Sequence, residues 1–386
     1  VPTALLGIPG ETLATPLTRE ANPLRKLGVP HIALRKMISG AVIAALIAVP
    51  MAVLFAVMLA PFGDTIKRTA PWIFLAAAVA IAWFSKGRLA AVLALIPFVL
   101  IILGLQTLTG QYGVKLSVSY FLGIAIGPLI AALFALLAPD ERSHMRRSEV
   151  RTFSLSPDVK SGGGYFPNPL KVLDRQQSRW TAITAVISSA TFVFSPVAMT
   201  VIMGELVGSR IKHVYHRLTT VITARNGVTE STYIAEALIP LIAFGLPLSP
   251  VAAGPAAPLF NAPPRFTVDS ATGEVHNLHT LLSTWEFFGY GMLAVIVAIL
   301  IAYPFTMNYA YRAASWVTRK ISHEAVISTF VGLILVIGIW EGGLLGLLVI
   351  VTVGLLGGFL SRFLGFNIGV QFMGYYTAVL TVPALL

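Results

Sequence analysis

Three carboxylates stand in apolar surroundings in this chain. Glu205 lies within the run Val197–Gly208, and Glu230 and Glu236 lie in or beside the Pro-interrupted stretch Val228–Phe260. A carboxylate in hydrocarbon is costly unless it is paired, hydrated or protonated, so each is a candidate to carry H+ or to help hold Na+. For Glu205 the local alternative is an ion pair with Arg210, just over one turn further on, or a place at the membrane interface. The hydroxyls of Ser231, Thr232 and Ser249 would supply neutral oxygen ligands to a substrate or cation. Ser and Thr in membrane helices also bond their own backbone or join neighbouring helices.

A second set of residues is defined by breaks. Ala4–Glu11 (ALLGIPGE) and Ala237–Pro250 (ALIPLIAFGLPLSP) interrupt apolar sequence with Gly and Pro. In hydrocarbon the freed N–H and C=O groups find no solvent, so such breaks persist only when packed in protein or lining a wet cavity. A helix end turned to a cavity presents unpaired N–H groups and the positive end of its dipole, which suits a carboxylate. The expected substrate contacts are therefore Gly7, Pro9, Gly10, Glu11 and Thr12 at one tip and Gly245, Pro247 and Ser249 at the other, with Ser231 and Thr232. The alternative is that both breaks are structural kinks. Paired broken segments in two halves of a chain point to the central site of a transporter, the two tips facing each other across a pseudo-repeat.

Other chemistries find no residues here. There is no Cys, hence no disulfide, thiolate metal site or thiol nucleophile. The His pairs His213/His216 and His276/His279 lack metal-ligand spacing and read as solvated. H-E-x-x-H, G-x-S-x-G and a phosphate-cradling glycine loop with Lys are all missing. Neither an enzyme nor a cofactor is expected, only a coupling ion, H+ or Na+.

The elements that must position these residues are membrane helices. The chain is 56% hydrophobic and 11% charged, with mean hydropathy +0.82, against about 25% charged for soluble domains. Lys and Arg total 27 against 16 acids. Most lie between spans, so the net charge of +11 reports orientation in a bilayer rather than nucleic-acid binding. Val1–Gly10 lacks the basic start of a signal peptide and meets a helix breaker at Pro9, and a chain opening on Val-Pro at a motif reads as one that starts part-way along.

Spans are expected at Met37–Pro61, Leu89–Leu105, Val118–Ala138, Trp285–Met307, Ala325–Trp340, Gly343–Leu360 and Phe366–Leu386, with a short one at Pro71–Phe84. Thr181–Gly208 is interrupted at Ser195-Pro196 and has basic sequence on both sides, which predicts either a re-entrant hairpin or a kinked span. Ser209–Arg225 is expected as a basic loop, and Glu341, Tyr112, Trp285 and Trp340 as interfacial residues. The fold class is thus an all-α polytopic membrane protein of roughly eight to ten membrane elements, some broken or re-entrant, with pseudo-repeat architecture. The expected divisions are 1–138, a first repeat remnant; 139–180, a basic cytoplasmic loop; 181–262, a second repeat; 263–284, an extracytoplasmic loop; and 285–386, C-terminal helices.

Four stretches carry a resemblance: LLGIPGETLATPLTREANPLRKLGVPHIAL (Leu5–Leu34), WFSKGRLAAVLALIPFVLIILG (Trp83–Gly104), NGVTESTYIAEALIPLIAFGLPLSPVAAGPAAPLF (Asn226–Phe260) and GLLGGFLSRFLGFNIGVQFMG (Gly354–Gly374). In order and content they resemble the large membrane subunit of the tripartite tricarboxylate transporter family. The sequence departs from the family pattern in three places. It begins without the Gly-Pro-Gly-rich half that precedes the IPGE hairpin. It has Phe194-Ser195-Pro196-Val197-Ala198 at a Pro-Gly-x-Gly turn, and Gly245-Leu246-Pro247-Leu248-Ser249 where the family has Gly-Ile-Pro-Gly-Ser. Losing glycine narrows an anion cradle. The resemblance implies a multi-pass permease of a bacterial-type inner membrane, moving an organic carboxylate by ion-coupled alternating access. It implies a small second membrane subunit and a periplasmic solute-binding protein as partners. The departures imply the alternative, a degenerate homologue serving as an accessory subunit of a larger membrane complex.

Overall fold

A computed structural model describes residues 1–7, 12–85, 87–114, 116, 118–135, 155–158, 164–191, 194, 196–246, 249–253, 256, 258–261, 277–320 and 323–382. The main helices are α1 (Pro2–Leu6), α2 (Thr18–Lys26), α3 (Pro30–Leu59), α4 (Gly63–Phe84), α5 (Leu89–Gln111) and α6 (Val118–Ala135). They continue as α7 (Arg175–Ala190), α8 (Pro196–Ser209), α9 (Val214–Phe244), α10 (Thr284–Lys320), α11 (His323–Leu364) and α12 (Ile368–Tyr376). No strand occurs among the described residues. Among the described residues, four helical stretches are long and apolar enough to cross a membrane: Pro30–Phe62, Leu89–Gln111, Thr284–Lys320 and Val331–Leu364. The protein is an all-α polytopic membrane protein.

The chain forms two compact units, Val1–Thr69 with Leu155–Lys320 and Ala70–Ser154 with Ile321–Leu386. The first is organised around α9 and α3, which run parallel. A Cβ on Gly40 would meet Thr223, and one on Gly227 would lie 2.9 Å from Thr181 Cγ2 and 3.2 Å from Ala44 Cβ. Gly40-x-x-x-Ala44 thus faces Thr223-x-x-x-Gly227, the small-residue spacing that lets two backbones approach. Further along, Ala52 packs with Ala235 and Ile239. Helix α9 is buried along most of its length, including Thr219, Thr220, Thr223, Ser231 and Thr232.

Helices α7 and α8 form a hairpin lying along α9. Gln177 donates to Thr219 at 3.1 Å and Ser188 pairs with Ser231 at 2.6 Å, so α7 runs in the direction of α9. The chain then reverses. Thr200 pairs with Thr229 at 3.2 Å and Val207 packs with Val221, so α8 runs back. Of the two forms expected for Thr181–Gly208, the structure adopts the fold-back, with Pro196 as the first residue of the returning arm. The Ser209–Arg225 stretch is not a loop. Only 210–213 connects the helices, and Arg217 and Arg225 belong to α9. This segment looked like a loop because its Thr-rich faces are covered by α3 and α7, which removes the apolar stripe that marks a helix.

Helix α10 lies against α3, with Tyr303 and Met307 packed on Val42. The described part of the basic connection before α7 is fastened to the α2–α3 corner. Ser156 N–H donates to Gly28 O at 2.9 Å, and Arg35 donates to Asp158 at 2.7 Å.

In the second unit α11 breaks at Gly342 (φ −150°, ψ 21°) and Gly343 (φ 58°, ψ −138°). Ile334 and Ile350 share one cluster with Ile126, so the arms fold back on each other, as two successive spans do. Glu341, at this break, is not merely interfacial. Its carboxylate accepts the N–H groups of Val118 (2.7 Å) and Ser119 (2.6 Å) and the Ser119 hydroxyl (2.5 Å). It therefore caps the first turn of α6, whose N–H groups have no partner within the helix. Phe121, Phe372, Tyr375 and Tyr376 form an aromatic cluster beside it.

Candidate functional site

The two glycine breaks share one backbone geometry. Gly7 ends α1 with φ 70°, ψ 20°, its N–H bonded to Thr3 O at 3.1 Å. Gly245 ends α9 with φ 63°, ψ 10°, its N–H bonded to Leu241 O at 3.2 Å. Both are left-handed helix stops, a conformation that costs a residue with a Cβ about 1–2 kcal/mol. Each is closed over by an Asn from a following segment. A Cβ on Gly7 would overlap Asn22 Oδ1, and Asn277 Nδ2 donates to Gly245 O at 2.7 Å. A Cβ on Gly245 would come within 2.9–3.1 Å of the His279 side chain.

Gly7 and Gly245 do not face each other. Leu5 of α1 packs with Leu34, Met37 and Ile222, whereas Leu241, one turn before Gly245, packs with Val53 and Ala56. From Met37 to Val53 is sixteen residues of α3, roughly 24 Å at 1.5 Å per residue. Gly7 and Gly245 occupy opposite ends of the α3–α9 pair. Of the expected first-tip contacts, Gly7 is placed as above and Thr12 opens a short 3₁₀ turn. Pro9, Gly10, Glu11 and Pro247 lie outside the described residues.

At the second tip Pro240 lies inside α9 and has no N–H, so the carbonyl of Glu236 loses its helical donor. Ser249 supplies the replacement. Its hydroxyl donates to Glu236 O at 2.5 Å and accepts the N–H of Ala252 at 3.1 Å, capping the turn Pro250–Ala253. Glu236 is fully buried. Its Oε2 accepts the N–H of Val251 at 3.3 Å, while Oε1 has no hydrogen-bond partner among the described residues. Thr232 Oγ1, one turn earlier on the same face, is buried and likewise without a partner there. Buried polar atoms are normally satisfied, and an exception marks strain or chemistry. Ser231, by contrast, is engaged with Ser188 and with Gly227 O at 2.9 Å.

The other two carboxylates lie elsewhere. Glu230 is exposed. Glu205 pairs not with Arg210 but with Arg19, and sits 3.6 Å from Arg225 Nη2. Arg225, 2% exposed, is bound to Glu20, 8% exposed, at 2.6 Å and to Pro16 O at 2.8 Å. This network ties the stretch of chain after the first break to α8 and α9. Reading the sequence singled out Glu205 but missed Glu20 and Arg225 as a buried pair. Their separation of 205 positions leaves no local trace, and both stood in stretches that read as polar connections.

A sequence model of the tripartite tricarboxylate transporter TctA family matches residues 1–370. The chain belongs to the TctA family. No curated protein matches it, and no solved structure matches it. As a TctA member the protein is a multi-pass membrane subunit of a transporter family rather than of an enzyme family, and its family works within a tripartite system. The Gly245–Ser249 break lies within the matched residues.

Proposed function

We propose that this TctA-family chain is the permease subunit of a tripartite carboxylate uptake system, moving an organic carboxylate by ion-coupled alternating access across a bacterial-type inner membrane. A periplasmic solute-binding protein would deliver the anion, and a small second membrane subunit would complete the complex. The observation that carries the reading is the fully buried Glu236 at the Gly-Pro break, with one carboxylate oxygen unmatched among the described residues. A carboxylate held at such a place is suited to bind and release H+ or to share Na+ with the Thr232 hydroxyl one turn away. Glu230 and Glu205, exposed and ion-paired respectively, are less suited to that role.

The test is uptake of labelled succinate and citrate into proteoliposomes under imposed proton and sodium gradients, with the partner proteins encoded beside the gene supplied. Glu236→Gln is expected to abolish gradient-driven uptake while leaving the protein folded, and Gly245→Ala to reduce it through strain at the left-handed stop. Silence of the wild-type complex under every gradient would refute transport and leave the accessory-subunit reading. Full coupling in Glu236→Gln would refute the role of Glu236.

A further inference from the structure

Beside the buried Glu20–Arg225 pair is a cavity of about 260 Å³ whose lining includes Arg19, Glu20, Glu205, Ser209, Arg217 and Arg225. It lies at the start of α9, eleven residues or about 16 Å from Glu236 along the helix, and so is a place apart from the broken tip. Its size is just below that of pockets holding drug-sized molecules, and suits a small one.

Three features bear on what it holds. The first is charge: three guanidiniums against two carboxylates leave one positive charge in excess. The second is spare donors. Arg217 is exposed, and its guanidinium forms no ion pair or hydrogen bond among the described residues. Arg225 is 2% exposed, yet its Nε has no acceptor among the described residues and lies against Gly204, where any Cβ would overlap it. The third is the difference between the two carboxylates. Glu20 is buried and fixed, whereas Glu205 is 55% exposed while bridging Arg19 and Arg225. An exposed ion pair is worth little, so Glu205 holds its place weakly.

We propose that this cavity is a second carboxylate site, in which Glu205 occupies the position of a ligand carboxylate and is displaced by one. With Glu205 swung into solvent, Arg19, Arg217 and Arg225 face the cavity against Glu20 alone. The local charge is then +2, matched to a dicarboxylate, and guanidinium forks suit carboxylate oxygens. The proposal takes its ligand class from the carboxylate-transport reading, but it involves neither the glycine breaks nor Glu236.

The absence of Cys from the chain allows a local reporter. Ser209→Cys, labelled with an environment-sensitive fluorophore in the full chain in nanodiscs, is titrated with succinate, citrate and, for comparison, inorganic phosphate. The expected result is a saturable response to the carboxylates. Glu205→Gln should lower its midpoint about fivefold by removing the internal competitor, and Arg217→Ala should raise it about fivefold. No saturable response in either the parent or Glu205→Gln overturns the site. An equal response to phosphate overturns its carboxylate class, and a midpoint raised by Glu205→Gln overturns the exchange. Glu236→Gln in the same format should leave the titration unchanged. Loss of uptake with this titration intact would then separate failure of the tip reading from failure of the cavity.

Discussion

Removing Glu20 tests whether the pair it forms with Arg225 organises this end of the first unit. Arg225 is 2% exposed and makes its short contacts to Glu20 at 2.6 Å and to Pro16 O at 2.8 Å. Breaking one partner of a buried pair typically costs about 3–5 kcal/mol, because the remaining charge is left uncompensated. Arg225 keeps the Pro16 carbonyl and the more distant Glu205, so Glu20→Gln is placed at the lower end, about 3 kcal/mol. Arg225→Met strands Glu20 with only the exposed Arg19 beside it, and should cost at least as much. The double variant Glu20→Leu/Arg225→Met removes both charges together and should lie within about 1 kcal/mol of the wild type, since apolar replacement of a whole buried pair is often neutral. Denaturant unfolding in nanodiscs, followed by tryptophan fluorescence, gives the four stabilities of the cycle. A double variant as unstable as the sum of the two single variants would refute the reasoning. A Glu20→Gln cost below about 1 kcal/mol would do the same.

Glu341→Ala should cost about 1–2 kcal/mol and speed hydrogen exchange at the Val118 and Ser119 amides, because the carboxylate that caps α6 is lost; unchanged exchange there would refute the capping role. Gly227→Ala should destabilise by about 1–3 kcal/mol through its close approach to Thr181 and Ala44. Gly104→Ala, with nothing within 4 Å of the added carbon, should be neutral or stabilising by up to about 1 kcal/mol; equal thermal midpoints for the two variants would refute the crossing. Ser249→Ala should speed exchange at the Ala252 amide and lower the unfolding midpoint, since it orphans the Glu236 carbonyl and an N-cap at once; an unchanged midpoint would refute the link.

Much of the helical layout was legible in the sequence, because a long uncharged apolar run satisfies its backbone in a bilayer only as a helix. Leu89–Gln111 and Val118–Ala135 begin where the sequence placed them, and the two spans expected on either side of Glu341 meet at the Gly342–Gly343 break. Of the two readings of Ser195-Pro196, the fold-back needed tertiary contacts to decide it, since proline marks a discontinuity without saying which way the chain leaves. The basic sequence before Arg225 hid the first turns of α9, because burial on several sides erases amphipathic periodicity. The Gly245 stop was legible, whereas Pro240 marked no break at all, since its cost is met from outside the helix. Glu341, Glu20 and Arg225 could not be assigned from spacing, as their partners lie in distant parts of the chain. The separation of the two glycine tips is likewise a tertiary property, invisible in the likeness of their sequences.

The Ser249 hydroxyl also has a mechanical consequence. One oxygen holds α9 on one side and the turn after the break on the other, so the turn is pinned to the helix it interrupts and travels with it. The carbonyl of Gly245, between them, is gripped by Asn277 seven residues before α10 begins. A displacement of α10 would thus be delivered to the tip and α9 together through a short tether, with Asn277 as the point where force is applied. Replacing Asn277 by Ala would cut the tether, and so would separate the movement of α10 from that of the tip.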